Sequence, residues 1–272
     1  MSRRLLIVVS CCIALGPALP AFADGPPQGV TPDGAGIISP DGKLRYLTVP
    51  TASRTLLEEV NLRDGTLQTW RWLDGSLAIP AIAWHPTGLT HDGKTLVLAT
   101  YPWRTGSATF LLLNTPYLTT ERVVTLKGAW SFDAISPRAR TLYLIQGLPG
   151  RYLVRAYDLR RGRLLTGAIA DRREKGPMSG APVTRATTTD GRWAYTLYLR
   201  GNGTGFIHAL DTVGRTAVCI DLPWEAMDAW AWDAQLWVSR DGRTLHLRQR
   251  GTNGRHAVVD TRTWKLKVSS TL

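Results

Sequence analysis

The chain has 272 residues, 33 Lys and Arg against 21 Asp and Glu, a formal charge of +12 and 44% hydrophobic residues, a length ample for one continuous core. The basic excess is mainly arginine and favours anionic partners, with an Arg-rich coding bias as the alternative that carries no function. No Lys-rich run, helical basic stripe or nucleic-acid motif is present, which argues against a nucleic-acid partner.

In chain order, Met1-Ser2-Arg3-Arg4 is a positive n-region, Leu5 to Ala18 is apolar, and Ala21-Phe22-Ala23 fits small-x-small cleavage before Asp24. Residues 1–23 therefore read as a signal peptide, with a secreted, periplasmic or cell-envelope location expected. Gly16, Pro17 and Pro20 interrupt the apolar run, so an uncleaved membrane span is not expected. Ser2-Arg3-Arg4 leaves a twin-arginine signal open. The short apolar run before Cys11 argues against a lipoprotein anchor there. Cys11 and Cys12 leave with the signal, and the remaining Cys219, in Ala217-Val218-Cys219-Ile220, reads as a buried strand residue with no disulfide partner. Stability must then come from packing and closure.

Residues 24–36, rich in Pro and Gly, read as an extended lead-in to a single domain over 37–272. Ser39-Pro40-Asp41-Gly42 opens that domain, and related stretches stand at Thr90-His91-Asp92-Gly93, Ser136-Pro137-Arg138-Ala139, Thr189-Asp190-Gly191 and Ser239-Arg240-Asp241-Gly242. The steps are 51, 46, 52 and 51 residues, the period of a propeller blade. Asp-Gly supplies the positive φ of a hairpin turn. A second turn signal follows each first by about twenty residues, around Asn61, Asn114, Asp158, Asp211 and Asp260. Each unit thus reads as four antiparallel strands. The expected fold is all-β: a single, closed β-propeller, five blades of four strands, with six blades as the rival. Ala170 to Pro182 reads as a charged, exposed insertion.

The Ser-Pro-Asp-Gly, Leu-Tyr and later Asp-Thr elements resemble the blades of secreted bacterial WD40-like and YVTN-type propeller proteins. The resemblance implies fold across the mature chain and leaves function open, because such propellers include scaffolds, binding proteins and some enzymes. No catalytic residue carries over from it.

By strand order, the first strand of each blade lines a central channel, and its mouth lies near Trp84-His85, Trp130 to Asp133, Thr184-Arg185 and Trp230 to Asp233. If the protein is a hydrolase or lyase acting on an anionic carbohydrate, Asp133 and Asp233 with His85 and Arg185 are the candidates, since glycoside hydrolysis needs two carboxylates. The alternative is that both Asp residues bond neighbouring backbone or Arg groups. The loops between second and third strands each carry an arginine: Arg54, Arg104, Arg151, Arg200 and Arg255. With Trp84, Trp103, Trp130, Trp230 and Trp232 they form the candidate ligand-binding set. Guanidinium forks suit carboxylate or phosphate, and indoles suit sugar faces. His85, His91, His208, His246 and His256 show no metal-ligand spacing, and no cofactor motif is present. The expected protein is a monomeric, exported binding propeller for an anionic glycan or envelope polymer, with a protein-binding envelope scaffold as a further reading.

Overall fold

The five turns form where the sequence puts them. In the first, Ser39 Oγ donates to Asp41 Oδ1 at 2.7 Å and accepts the Leu44 N–H at 2.9 Å, while the Lys43 N–H reaches the same carboxylate oxygen at 3.2 Å. The hydroxyl–carboxylate bond recurs at Thr90–Asp92 (2.7 Å), Thr188–Asp190 (2.6 Å) and Ser239–Asp241 (2.6 Å). The third turn has no carboxylate. Ser136 Oγ still accepts the N–H groups of Arg140 and Thr141, and Ala139 takes the left-handed φ of 48° that glycine fills in the other four turns. For a residue with a Cβ that backbone costs about 1–2 kcal/mol.

The computed structural model describes residues 36–83, 85–100, 106–171, 176–251 and 254–270. The expected signal peptide, the lead-in as far as residue 35, Trp84, Trp103 and Arg104 lie outside them. Blade 1 is β1 (Ile37–Ile38), β2 (Leu44–Pro50), β3 (Arg54–Asn61) and β4 (Leu67–Asp74). Blade 2 begins with a small hairpin of β5 (Ala81–Ile82) and β6 (His85–Pro86), followed by β7 (Thr95–Ala99), β8 (Ser107–Asn114) and β9 (Thr119–Lys127). Blade 3 is β10 (Trp130–Ile135), β11 (Thr141–Leu148), β12 (Arg151–Asp158) and β13 (Arg163–Leu164). Blade 4 is β14 (Ala181–Thr187), β15 (Trp193–Leu199), β16 (Gly205–Asp211) and β17 (Thr216–Asp221), and blade 5 is β18 (Ala234–Val238), β19 (Thr244–Gln249), β20 (Arg255–Asp260) and β21 (Leu266–Ser270). All strand pairs within these sheets are antiparallel and follow chain order. No α-helix occurs among the described residues, and none is long and apolar enough to cross a membrane.

Blade 2 departs from the four-strand expectation. Its first strand is reduced to isolated pairings, Ala78 with Ala99 and Leu89 with Leu96, and the β5–β6 hairpin stands between them. Gly88, at φ 100°, permits the return, because a Cβ there would lie 2.9 Å from the Val97 carbonyl.

The second turns explain the recurrent Asp-Thr element. Thr212 Oγ1 donates to the Gly191 carbonyl at 3.0 Å, Thr261 Oγ1 to that of Gly242 at 2.7 Å, and Thr115 Oγ1 to that of Gly93. In all five blades the backbone adds a bond to the first turn: the N–H groups of Leu62, Thr115, Leu159, Thr212 and Thr261 donate to the carbonyls of Lys43, Lys94, Arg140, Arg192 and Arg243. The two hairpins of a blade are thereby tied at one end.

Strand alternation then builds cores between blades rather than beneath them. In β11, Leu142 and Leu144 pack towards blade 2 with Phe110 and Phe132, while Tyr143 and Ile145 pack towards blade 4 with Tyr198 and Leu210. Tyr46, Leu57, Leu96 and Leu113 join blades 1 and 2, and Tyr195, Ile207, Leu236 and Leu247 join blades 4 and 5. Among the described residues no core joins blade 5 back to blade 1, so the expected closure is not made by packing. On the faces that it would cover, Trp70 is 56% and Trp237 40% exposed.

Two local expectations change in the same way. Asp171, read as part of an exposed charged insertion, is 6% exposed: its Oδ2 accepts the Cys219 N–H at 2.8 Å. Met178, from the same stretch, is buried and pairs with Tyr152 through the backbone. Cys219 is buried in β17, as its apolar neighbours imply.

The Asp-Gly turns also touch one another. A Cβ on Gly93 would lie 3.1 Å from Pro40, and one on Gly191 would lie 2.9 Å from the His91 Cβ and 3.5 Å from Pro137, whereas one on Gly42 would meet nothing within 4 Å. Both Gly42 and Gly191 sit at positive φ, 72° and 68°. Gly42→Ala should therefore cost only the backbone term of about 1–2 kcal/mol. Gly191→Ala should cost about 1–3 kcal/mol more from the added collision. Denaturant titration of both variants checks this, and equal losses would mean that the turns do not meet.

Candidate functional site

The first strands of blades 3 and 4, β10 and β14, each carry a bulge, where the register shifts between Phe132 and Ala134 and between Pro182 and Thr184. A bulge re-aims side chains that regular alternation would send elsewhere. Here Asp133 is the extra residue of β10, and Arg185 follows the bulge of β14. Arg185 Nη1 donates to the Asp133 carbonyl at 2.7 Å and to Asp133 Oδ1 at 3.1 Å. The side chains are 5% and 2% exposed for Arg185 and Asp133, so this is a buried ion pair between blades 3 and 4. Asp133 Oδ2 and Ser131 Oγ are buried beside it without a hydrogen bond to the described residues.

His85 reaches the same place from blade 2. Its Nε2 lies 3.2 Å from Thr184 Oγ1 of β14. Partial burial of the ring, then the positive charge of Arg185, lowers its pKa below the ordinary histidine value, which favours the neutral imidazole. Three of the four candidate catalytic residues thus meet where blades 2, 3 and 4 adjoin. Asp233 does not join them through any hydrogen bond of its carboxylate: it is exposed on the 3₁₀ turn Ala231–Asp233 before β18, where its backbone carbonyl accepts the Arg250 N–H.

The consequence for chemistry is direct. A glycosidic oxygen must touch its acid, and Asp133, 1% exposed and already holding Arg185, offers no surface for that. The pair joins β10 to β14, and loss of either partner would leave the other charge buried and alone.

Deeper between blades 3 and 4, His208 of β16 is 1% exposed, with its Nδ1 3.7 Å from Cys219 Sγ and its ring edge-on to Tyr198. Burial lowers the His208 pKa, so the imidazole is neutral there. Tyr198 stacks on Tyr152 with centroids 5.5 Å apart, and burial pushes both phenol pKa values up. The place of His208 in this interior cluster depends on contacts across blades and left no mark in the sequence.

At the mouth, the loop arginines differ from one another. Arg54 pairs with Asp74 at 3.9 Å, and Arg200 pairs with Asp221 at 2.8 Å while lying over the Phe206 ring. Arg255 lies over the Trp230 ring at 5.1 Å, and Arg151, first residue of β12, is exposed with no ion pair among the described residues. The tryptophans separate too. Trp130 was grouped with the ligand residues by its place in the chain, but it is a core side chain, 5% exposed, whose Nε1 donates to the Lys127 carbonyl at 2.9 Å. Trp230 is 4% exposed and meets Trp224 edge-on at 5.3 Å, whereas Trp232 is 58% exposed.

No protein-family profile and no curated protein matches this chain. Solved structures do. Hydrazine synthase from Kuenenia stuttgartiensis is similar over 86% of this chain and 64% of its own, with a TM-score of 0.54 and 12% identity. A protein of unknown function from Desulfotomaculum acetoxidans matches 86% of this chain and 68% of its own, at 0.53 and 18%. The Dos1 propeller matches the same share and 57% of its own, at 0.50 and 12%. The chain is a β-propeller. It spans less than two thirds of the hydrazine synthase and Dos1 chains, and at these identities the likeness speaks for the fold alone.

The buried pair gives a stability test. Arg185→Met should lose about 3–5 kcal/mol, because it leaves the Asp133 carboxylate buried and alone. Combining it with Asp133→Leu should recover part of that loss. Chemical denaturation of both variants decides, and a single variant as stable as the wild type would contradict the burial described above.

Proposed function

We propose that the protein is an exported binding propeller that holds an acidic glycan, or another anionic envelope polymer, across the channel mouth. The observation that carries this reading is the rim of blades 4 and 5. There the open indole of Trp232 stands two residues from Trp230, whose buried ring supports the guanidinium of Arg255. An indole offers a flat apolar face to a sugar ring, and a guanidinium held in place loses less rotamer freedom when it forks onto a carboxylate. Arg151 adds an uncommitted cation at the same end of blade 3. Export rests on the sequence of residues 1–23.

The reading asks nothing of Asp133, which supports binding without turnover over hydrolysis. A scaffold that binds another protein is the second reading. It draws support from Arg54 and Arg200, whose charges are already met by Asp74 and Asp221 and so are partly withdrawn from a polyanion.

Titration of polygalacturonate, with dextran as a neutral control, at low and moderate salt tests the proposal. Wild type should bind the polyanion and not dextran, with affinity falling as salt rises. The variants Arg151→Ala/Arg255→Ala and Trp232→Ala should each lose about tenfold or more, since a charged hydrogen bond contributes about 1.5–3 kcal/mol. No binding to the polyanion at low salt, or equal binding by all three proteins, would overturn it in favour of the protein scaffold.

A further inference from the structure

Each blade interface is made from one face of each of two blades, and the series leaves two faces over. On blade 1 the register aligns Val49 with Leu56 and Trp72, Leu47 with Glu58 and Trp70, and Arg45 with Val60 and Leu67. These residues alternate with Tyr46, Leu57 and Leu73, which pack on blade 2, so they form the opposite face. Ile38, Val49, Leu67, Trp70 and Trp72 are 48, 51, 50, 56 and 45% exposed. Two indoles, each carrying roughly 150–250 Å² of surface, stand about half in water on one sheet. A contiguous apolar patch of a few hundred Å² is the usual mark of an interaction surface on a soluble protein.

The face left over on blade 5 has a different chemistry. Trp237, His246 and His256 stack across β18, β19 and β20, with centroids 5.0, 5.8 and 6.3 Å apart and planes within 7° of parallel. Trp237 is 40% exposed. Arg248 pairs with His256 in the register, and Lys267 with Val258, so both cations project from this face and both are exposed.

Laid face to face with their turn ends together, as neighbouring blades pack within the chain, the two surfaces match in charge at three levels. Near the turn end, Arg45 on blade 1 would face Asp260 on blade 5. At mid-height Glu58 would face Lys267, and near the mouth Asp74 would face Arg248. Between those levels the indoles of Trp70 and Trp72 would meet the flat Trp237–His246–His256 platform.

We infer that the open face of blade 1 is an interaction surface for the open face of blade 5 of a second copy of this chain, so that molecules associate head to tail. Among the described residues no core cluster covers either face, and Trp70, Trp72 and Trp237 stay 56, 45 and 40% exposed. The contact is heterologous, so every added copy keeps one open face at each end, and assemblies grow unless the ring of copies closes. This replaces the monomer expected from the sequence, and it does not depend on the ligand proposed for the mouth.

Sedimentation velocity of the full chain over a wide concentration range tests the inference. The weight-average mass should rise with concentration. Trp70→Ala/Trp72→Ala should need at least tenfold more protein to reach the same average, and these exposed positions should leave the unfolding midpoint near the wild-type value. Glu58→Lys and Lys267→Glu should each weaken association as single variants, and their equimolar mixture should recover it, because one contact then pairs the exchanged charges. A wild type that stays monomeric throughout overturns the inference and assigns both faces to closure within one chain. Unchanged association of the tryptophan variant, or a mixture no better than its components, overturns it as well.

Discussion

The interaction on which the structure depends is the bond between a Ser or Thr hydroxyl and the Asp carboxylate two residues on. That carboxylate also accepts a backbone N–H from beyond the turn, and the hydroxyl accepts another, so three short bonds fix the reversal within six residues. For the exposed Asp41, the Ser39 hydroxyl and then the Lys43 N–H hold the carboxyl below the ordinary carboxylate pKa. Once the reversal is fixed, the pairing of the first two strands is in register, and the second turn of the blade docks on the first through a backbone bond present in every blade. Each blade is thus organised from one end. The other end is free to vary, and there the loops between second and third strands lie.

This division explains what the sequence disclosed. Turn chemistry is local, so blade number, strand order and the buried place of Cys219 are readable from residue types and spacing. The weak third turn is readable as well: Arg138-Ala139 breaks the pattern, and Ala139 carries the cost in its backbone. Asp171 escapes such reading because its partner is a backbone N–H 48 residues away. The bulges at Asp133 and Val183 escape it too, since nothing in Ser131-Phe132-Asp133 distinguishes a residue that will be turned inward onto Arg185 from one that will point to solvent. Strand order put Asp133, Arg185 and His85 in one neighbourhood; their burial, which decides whether they act on a substrate, is a property of the packed blades.

The same physics separates a sealed interior from an open periphery. Buried polar groups between blades 3 and 4, among them the Asp133–Arg185 pair and the neutral His208, bridge strands of the two blades and are closed to large ligands. Exposed side chains lie instead on the rim, at Trp232 and Arg255, and on the outer faces of the first and last blades, at Trp70, Trp72 and Trp237. The β4 sequence Leu67-Gln68-Thr69-Trp70-Arg71-Trp72-Leu73 already shows the difference: Leu73 turns to blade 2, while its two indoles turn to a face with no blade beside it.

The claim that the hydroxyl–carboxylate–glycine turn is the organising unit is tested most directly by completing it where it is missing. The double substitution Arg138→Asp/Ala139→Gly places a carboxylate within reach of Ser136 Oγ and removes the Cβ from a left-handed residue. Equilibrium denaturation should show the protein more stable by about 1–2 kcal/mol, the cost that a Cβ carries at that backbone conformation. A stability equal to or below that of the wild type would contradict the account.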